Sequence, residues 1–345
     1  MLYRLALRLR HRAFDRGRKK SFPSAIPSVC IGNVTVGGTG KTPHTEMILR
    51  MLEGREGVCV LSRGYGRRTK GFLKVDPAGS STSFGDEPLQ IARQFPSRLV
   101  AVDADRVEGC EKLKELGQRL VILDDAFQHR RLRANLNIVL VNYSRPVFDD
   151  RLLPFGRLRD LPERIFNADI IIVTKCPEDI TPDEKAAFAL KLRLKDYSSE
   201  ECCAVNPSGQ RQTVLFSSIE YLPPQMVFPE GDHRYTYSQK VMYMSGIAHD
   251  RRLLDHLRGQ YHILKDFEFA DHHDFTRGEL ARIEKELRKA KACPLVTTEK
   301  DAQRLLSLGY VSDYLKERTF MVPIQARLTT PSEEALLLRR LEELG

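Results

Sequence analysis

The chain has 345 residues, of which 41% are hydrophobic, and its formal net charge is +9 at pH 7. This length suggests about two domains, because single hydrophobic cores seldom grow past about 250–300 residues. The seven cysteines are scattered, with no CxxC pair. This argues against a disulfide framework or a zinc site and favours a reducing compartment such as the cytoplasm.

The positive charge is concentrated in residues 1–20, which contribute +7 and leave only +2 for the remaining 325 residues. On a helical wheel, Arg4, Arg8, Arg12 and Arg16 share one face, and leucines cluster on the adjoining side. The segment is too short and too charged to span a bilayer, and it lacks the apolar run of a signal peptide. We expect an amphipathic helix at an anionic membrane surface rather than a nucleic-acid contact. A solvated basic helix and a helix packed on the body are the alternatives.

After this segment, short β-like runs alternate with helical ones. Strands are predicted at 28–32, 58–62, 99–103, 120–124, 138–142 and 170–175, and helices at 41–52, 106–116 and 182–194. This alternation is typical of an α/β fold with a mostly parallel, doubly wound sheet. We therefore predict one large domain over residues 21–198.

A polar stretch then separates two α/β patterns, and we interpret residues 199–224 as an extended connector or hinge. Beyond it, strands are predicted at 241–245, 262–267, 295–298 and 320–324, and helices at 251–258, 278–290, 300–308 and 332–344. The pattern predicts a second, smaller α/β domain over residues 225–345.

The strongest chemical signal is the run Gly37-Gly38-Thr39-Gly40-Lys41-Thr42, which follows a predicted strand and opens a predicted helix, as a P-loop does. Glycines let backbone N–H groups close around phosphate oxygens at the helix N-terminus. We expect Lys41 to reach the β- and γ-phosphates of a nucleotide such as ATP, and Thr42 to bind Mg²⁺. The usual first glycine of the motif is here Thr35, so loop geometry can differ. A glycine-rich turn without a ligand is the alternative.

Two carboxylates follow the buried run 120–123. Asp124 ends the predicted strand and is expected to approach Mg²⁺, directly or through water. Asp125 is expected beside it, as a second metal contact or as a base. The alternative is that the two acids cap the next helix.

Several motifs occur in a fixed order: NVTVGGTGKTP at 33–43, LSRGY at 61–65, GDEP at 85–88, DR at 105–106, DDAFQH at 124–129 and DHHD at 271–274. Together they resemble the tetraacyldisaccharide 4′-kinase family of lipid A biosynthesis over nearly the whole chain. The resemblance implies transfer of the ATP γ-phosphate to the 4′-hydroxyl of a tetraacyl glucosamine disaccharide 1-phosphate, which gives lipid IVA. It also implies a monotopic enzyme on the cytoplasmic face of the bacterial inner membrane, with two α/β/α domains joined by a two-stranded hinge. We expect a monomer.

By position, Lys41 and Thr42 match the family's P-loop lysine and hydroxyl, and Asp105 and His272 match the Asp–His pair proposed to activate the sugar hydroxyl. A hydroxyl must be oriented and relieved of its proton for in-line phosphoryl transfer. Taken alone, Asp105 would be a helix N-cap and His272 a loop histidine. The sequence does not decide which of the two takes the proton. Because they lie in different predicted domains, we expect domain closure to assemble the site.

Further polar residues are candidate substrate contacts. Arginine side chains suit phosphate, on ATP or on the lipid's 1-position, and the residues beside the acidic pair can orient it. The candidates are Arg63, Arg157, Arg159, Gln128 and His129, each weighed against an ordinary salt bridge.

Two departures from the family pattern lie near the expected site: Ala126, where the family often has glycine, and Phe155, where it has small residues. They leave local geometry and acyl-chain or headgroup preference open. A P-loop GTPase is the nearest alternative, because Val173-Thr174-Lys175 resembles the guanine-reading motif, although Cys176 and Pro177 follow where its aspartate is expected. A membrane adaptor switched by nucleotide is another.

Overall fold

The structure is a computed structural model, and it describes residues 2–246, 251–270, 273–290 and 292–344. The first part of the chain contains helices α1 (Leu2–Asp15), α2 (Lys41–Met51), α3 (Ser81–Phe84), α4 (Asp86–Gln94), α5 (Arg106–Glu115) and α6 (Pro182–Lys191). Its strands are β1 (Phe22–Pro23), β2 (Ser28–Gly32), β3 (Val58–Ser62), β4 (Leu73–Lys74), β5 (Leu99–Val102), β6 (Leu120–Asp124), β7 (Leu132–Arg133), β8 (Leu136–Asn142), β9 (Ile170–Thr174), β10 (Lys195–Ser198), β11 (Cys203–Val205) and β12 (Arg211–Tyr221).

The second part contains α7 (Arg251–Gln260), α8 (Arg277–Lys289), α9 (Glu299–Leu306), α10 (Asp313–Lys316) and α11 (Pro331–Glu342). Its strands are β13 (Gln225–Met226), β14 (Lys240–Ser245), β15 (His262–Glu268), β16 (Leu295–Thr298), β17 (Thr319–Val322) and β18 (Ile324–Leu328). Short 3₁₀ helices span Pro162–Asn167 and His233–Tyr237.

The large sheet has the order β10-β11-β12-β9-β8-β2-β6-β3-β5-β4. Its pairings are parallel from β12 through β5 and antiparallel at both edges. Side chains alternate between two apolar layers: Cys30 of β2 faces the layer with α5 and α6, and Val29 and Ile31 face the layer with α2 and α4. Burial on both faces explains the nearly continuous apolar strands, and the predicted doubly wound sheet is confirmed.

The second sheet has the order β13-β17-β16-β14-β15, and its strands are parallel except for β13. Helices α8 and α9 pack on one face, where Leu280, Ile283, Ala302 and Leu305 are buried. Helix α7 covers the other face through Leu253, Leu254 and Leu257. The predicted smaller α/β unit is therefore present.

The end of the chain returns to the large sheet, whereas the sequence predicted residues 225–345 as one C-terminal unit. Strand β18 pairs antiparallel with β12, and Leu337 and Leu341 of α11 are buried in the core beneath α2. Lys185 of α6 lies 3.0 Å from the Glu333 carboxylate of α11. Apolar burial and this ion pair favour the return. The predicted connector also differs, because β11 and the first half of β12 extend the large sheet and only the second half pairs with β18 as a two-stranded ribbon.

Helix α1 packs against the body, one of the alternatives raised above. The His11 ring nitrogen lies 2.7 Å from the buried Asp160 carboxylate, and the Tyr3 hydroxyl donates to the backbone oxygen of Arg159. The same helix nevertheless leaves an apolar stripe in solvent, formed by Leu2, Leu5 and Leu9, which are 84%, 54% and 56% exposed.

Within the described ranges, none of the helices combines the length and the apolar character needed to cross a membrane.

Candidate active site

The loop between β2 and α2 forms a cradle at the carboxyl edge of the large sheet. Gly37, Gly38 and Gly40 have φ values of 64°, 72° and 80°, a region that favours glycine. Gly40 is the N-cap of α2, so Lys41 and Thr42 form the helix's first turn, where backbone N–H groups attract phosphate. Thr35, which stands at the usual first glycine, forms an isolated β-bridge with Leu158. This bridge anchors the start of the loop.

Polar side chains from neighbouring strands hold this loop. The Asn33 amide donates to the Thr39 hydroxyl over 2.6 Å. The Asn142 amide at the end of β8 donates to the Gly38 carbonyl over 3.1 Å, and the Thr174 hydroxyl at the end of β9 donates to the Thr39 carbonyl over 3.0 Å. The cradle is therefore preorganised by three separate elements.

Asp124 ends β6, the strand that pairs with β2, and is 5% exposed. The Ser62 hydroxyl donates to its Oδ2 over 3.1 Å, whereas its Oδ1 has no hydrogen-bond partner among the described residues. Burial, together with the neighbouring Asp125 charge, raises the pKa of Asp124 to about 6. A buried carboxylate oxygen without a partner fits a hard cation such as Mg²⁺, which prefers oxygen ligands.

Asp125 lies in a different environment. Its φ is 51°, and Arg159 donates to both of its carboxylate oxygens, while the Lys41 ammonium lies 3.7 Å from Oδ1. Burial acts to raise the pKa of Asp125, but the Arg159 hydrogen bonds and the Lys41 charge hold it below its usual range. Burial lowers the pKa of Lys41. Asp125 is thus a poor proton acceptor and is well placed to orient Lys41 and Arg159.

Asp105 is the N-cap of α5 and accepts a hydrogen bond from the Val107 N–H over 3.0 Å. Its other carboxylate oxygen forms an ion pair with Arg131. Because β5 precedes α5 and runs parallel to β3 and β6, Asp105 lies at the same edge of the sheet as Asp124. His272, its predicted partner, lies outside the described residues, and the neighbouring His273 lies 3.0 Å from Glu279.

The candidate substrate contacts differ in their placement. The Gln128 amide donates to the Asn33 carbonyl over 2.6 Å, so it supports the cradle. Burial, followed by the Arg106 charge, lowers the pKa of His129 to about 4, and this ring is neutral at pH 7. Arg157 lines the cavity beside Thr35, Val36 and Gly37, whereas Arg63 is exposed after β3. Arg159 binds Asp125, which in turn lies 3.7 Å from Lys41. Of the five candidates, three therefore contact or line the P-loop region: Gln128, Arg157 and Arg159.

Four residues of this region were not among the predicted site residues, although two of them, Ser62 and Glu87, lie in the motifs LSRGY and GDEP. Ser62 and Asn142 end β3 and β8 at the same edge, and their position at strand ends was the available signal. The others are Glu87 and Lys300, whose side chains lie 2.8 Å apart across the contact between α4 and α9. Nothing local in the sequence joins them, because 213 residues separate them.

The comparisons with known proteins agree on one family. The family model described as "Tetraacyldisaccharide-1-P 4'-kinase" matches residues 1–342. The chain is 38% identical over 340 residues to the tetraacyldisaccharide 4'-kinase of Bacteroides fragilis, covering 95% of this chain and 86% of that one. It is 35% identical over 349 residues to that of Porphyromonas gingivalis, covering 99% and 94%.

The fold comparison agrees with the sequence comparison. A crystal structure of "apo" form LpxK from Aquifex aeolicus in complex with ATP has a TM-score of 0.74 and 26% sequence identity to this chain, and the match covers 99% of this chain and 96% of that one. The resemblance inferred from the ordered motifs is thereby confirmed. The chain belongs to the tetraacyldisaccharide-1-phosphate 4′-kinase family.

Proposed function

We propose that the family's reaction takes place at the carboxyl edge of the large sheet, between the P-loop and Asp105. In this reaction the γ-phosphate of ATP passes to the 4′-hydroxyl of a tetraacyl glucosamine disaccharide 1-phosphate and forms lipid IVA. The observation that carries the proposal is the buried Asp124 oxygen without a described partner, next to the strand that leads into the phosphate cradle. The protein is an ATP-dependent kinase, and the residue roles that follow are our assignment.

The chain's own groups supply binding and charge. The N–H groups of residues 37–42 and the Lys41 ammonium bind the β- and γ-phosphates. The Thr42 hydroxyl and Asp124 would hold Mg²⁺, and the bound ion would supply positive charge to the phosphate oxygens. Asp125 keeps Lys41 and Arg159 in position, and so serves as an orienting carboxylate rather than a base.

The acceptor hydroxyl loses its proton to the pair formed by Asp105 and His272. An activating base is worth roughly 10²–10⁴-fold in rate. In the described structure the Asp105 carboxylate forms an ion pair with Arg131, which holds it near the edge where the phosphate sits. Closure of the C-terminal unit brings His272 to this carboxylate.

The acceptor reaches the site from a membrane surface, and α1 makes that contact. Its exposed leucine stripe lies beside basic side chains, and the helix is fixed to the body next to Arg159 and Gln128 through Tyr3 and Arg10. A helix with apolar and basic faces suits an anionic interface. We therefore propose a peripheral contact with an anionic membrane surface. The family's reaction leads us to infer that this surface is the cytoplasmic face of the inner membrane, and we expect a monomer.

The test of the reaction is transfer from γ-labelled ATP with Mg²⁺ to the tetraacyl disaccharide 1-phosphate in detergent micelles. Lys41→Ala, Asp105→Asn and His272→Ala are each expected to lower the transfer rate by at least roughly 10²-fold. Lys289→Met, which removes an exposed ion pair in α8, serves as the control and keeps full activity. Wild-type rates with GTP equal to those with ATP, or full activity in Lys41→Ala, would refute the proposal.

The membrane contact has its own test, which is cosedimentation with vesicles containing anionic lipid. Leu5→Ser and Leu9→Ser together are expected to lower vesicle binding about 10-fold while transfer to the acceptor in micelles changes little, because α1 remains docked through His11. Leu190→Ser removes an equally exposed leucine from α6 and is the matched control. Equal binding by both variants would refute the role of the stripe.

A further inference from the structure

Helices α4 and α9, from the two parts of the chain, meet through two ion pairs. The Lys300 ammonium lies 2.8 Å from the Glu87 carboxylate, and Arg304 lies 3.2 Å from Asp86. Both acids lie in the first turn of α4, and Lys300 lies in the first turn of α9, directly after β16. The Lys300–Glu87 pair therefore joins the first turns of the two helices, whereas Arg304 reaches Asp86 from the last turn of α9.

The Lys300–Glu87 pair also lies near the carboxyl edge of the large sheet, where the phosphate cradle is. Gly85, which directly precedes α4, packs closely against the backbone of Gly64 in the loop after β3. Ser62 at the end of β3 donates to Asp124, so the first turn of α4 lies beside the expected metal site. Burial is the main cause of the lowered pKa of Lys41, and the positive charge of Lys300 adds to it. Burial likewise raises the pKa of Asp124, and the Glu87 carboxylate adds to that rise. The Lys300 side chain is 32% exposed and the Glu87 side chain 25%, so a bound ligand can reach them.

We propose that Lys300 is a further catalytic residue, whose ammonium leaves Glu87 and contacts the γ-phosphoryl group when ATP binds. The inference rests on the phosphate position proposed at Lys41. Negative charge on the transferring group is stabilised by several cations at once in phosphoryl transfer. A lysine on a flexible four-carbon stem can exchange a carboxylate for a phosphate oxygen without backbone movement.

The exchange is also favoured by charge. Without nucleotide, the negative charge of Glu87 offsets the repulsion between Lys300 and Lys41. With nucleotide bound, the negative charge of the polyphosphate offsets this repulsion instead. Because Lys300 comes from the C-terminal unit, its contact makes the rate depend on that unit being docked on α4. Exchange of Glu87 for the γ-phosphate as the partner of Lys300 thus couples nucleotide binding to the second domain.

The rival explanation is that Lys300 and Glu87 only hold the domains together. The variants Lys300→Met and the charge-exchanged double variant Glu87→Lys/Lys300→Glu separate the two, with Lys289→Met as the matched control. Each is measured for kcat, for Kd of ATP and of ADP, and for Tm. We expect Lys300→Met to lower kcat on the order of 10²-fold and to weaken ATP about 10-fold with no change for ADP.

The charge-exchanged variant distinguishes a catalytic Lys300 from a purely structural Lys300–Glu87 pair. We expect it to recover the wild-type Tm but not kcat, because the carboxylate then stands where the phosphate needs a cation. Recovery of kcat in the exchanged variant, or equal weakening of ATP and ADP in Lys300→Met, would overturn the proposal in favour of a structural pair. If Lys41→Ala leaves ATP affinity unchanged, the phosphate site itself is misplaced and the inference fails with it.

Discussion

Replacing Asp124 by asparagine is expected to stabilise the nucleotide-free protein and to remove its metal-dependent activity. Burial raises the pKa of this carboxyl from 3.8 to about 6. A rise of this size means that ionised Asp124 destabilises the fold by about 3 kcal/mol at pH 7. Asparagine keeps the shape and can still accept the Ser62 hydrogen bond, but its amide needs a new acceptor. We therefore expect a net gain of about 1–3 kcal/mol in the free energy of unfolding.

The sign of the pH dependence makes the test specific. Since the folded-state pKa is raised, the destabilisation is complete above about pH 6, shrinks as the pH falls from there, and disappears below 3.8, where both states are protonated. Denaturant unfolding without nucleotide at pH 8 and pH 5 measures the gain, which should shrink at the lower pH. Asp313→Asn, at an exposed ion pair, is the control with little change at either pH. A loss of stability in Asp124→Asn, equal at both pH values, would refute the reasoning.

Two further predictions concern the large domain. Gly32→Ala would place a methyl carbon 2.5 Å from the Cβ of Phe127, so we expect the free energy of unfolding, measured with denaturant, to fall by about 1–3 kcal/mol. The control is Gly54→Ala, which has open space around it and should change the free energy of unfolding by less than the same assay can resolve. Lys185→Met leaves the Glu333 carboxylate buried without its cation and should cost about 3 kcal/mol and lower Tm, whereas an unchanged Tm would mean that the pair does not anchor α11.

The sequence predicted the six central strands of the large sheet, from β9 to β5 in spatial order, because each is a short apolar run buried on both faces. The predicted range 120–124 coincides with β6, and 28–32 coincides with β2. The cradle was also predictable, because glycines before Lys41 have few other uses between a strand and a helix. Element ends differ by one to three residues: β5 stops at Val102 rather than at 103, and α6 stops at Lys191 rather than at 194.

Long-range partners were not predictable in the same way. Helix α11 was predicted over residues 332–344. Nothing in that segment indicates that Leu337 and Leu341 pack beneath α2 rather than on the second sheet. Helix α4 was missed because Asp86, Glu87 and Pro88 look like a loop, although proline is tolerated in a first helical turn. Its pairing with α9 depends on the fold of both domains.

The two adjacent acids show why composition alone cannot assign roles at this site. In sequence, Asp124 and Asp125 are equivalent carboxylates. The backbone separates them: Asp124 ends a buried strand, and the left-handed turn at Asp125 directs the next carboxylate to Arg159 and Lys41. Burial therefore raises the pKa of Asp124, while two cations lower that of Asp125. Asp125 is already bound to cations and can orient them, whereas the buried Asp124 carboxylate would be stabilised most by a metal ion. The different roles of the two acids therefore follow from the backbone turn between them.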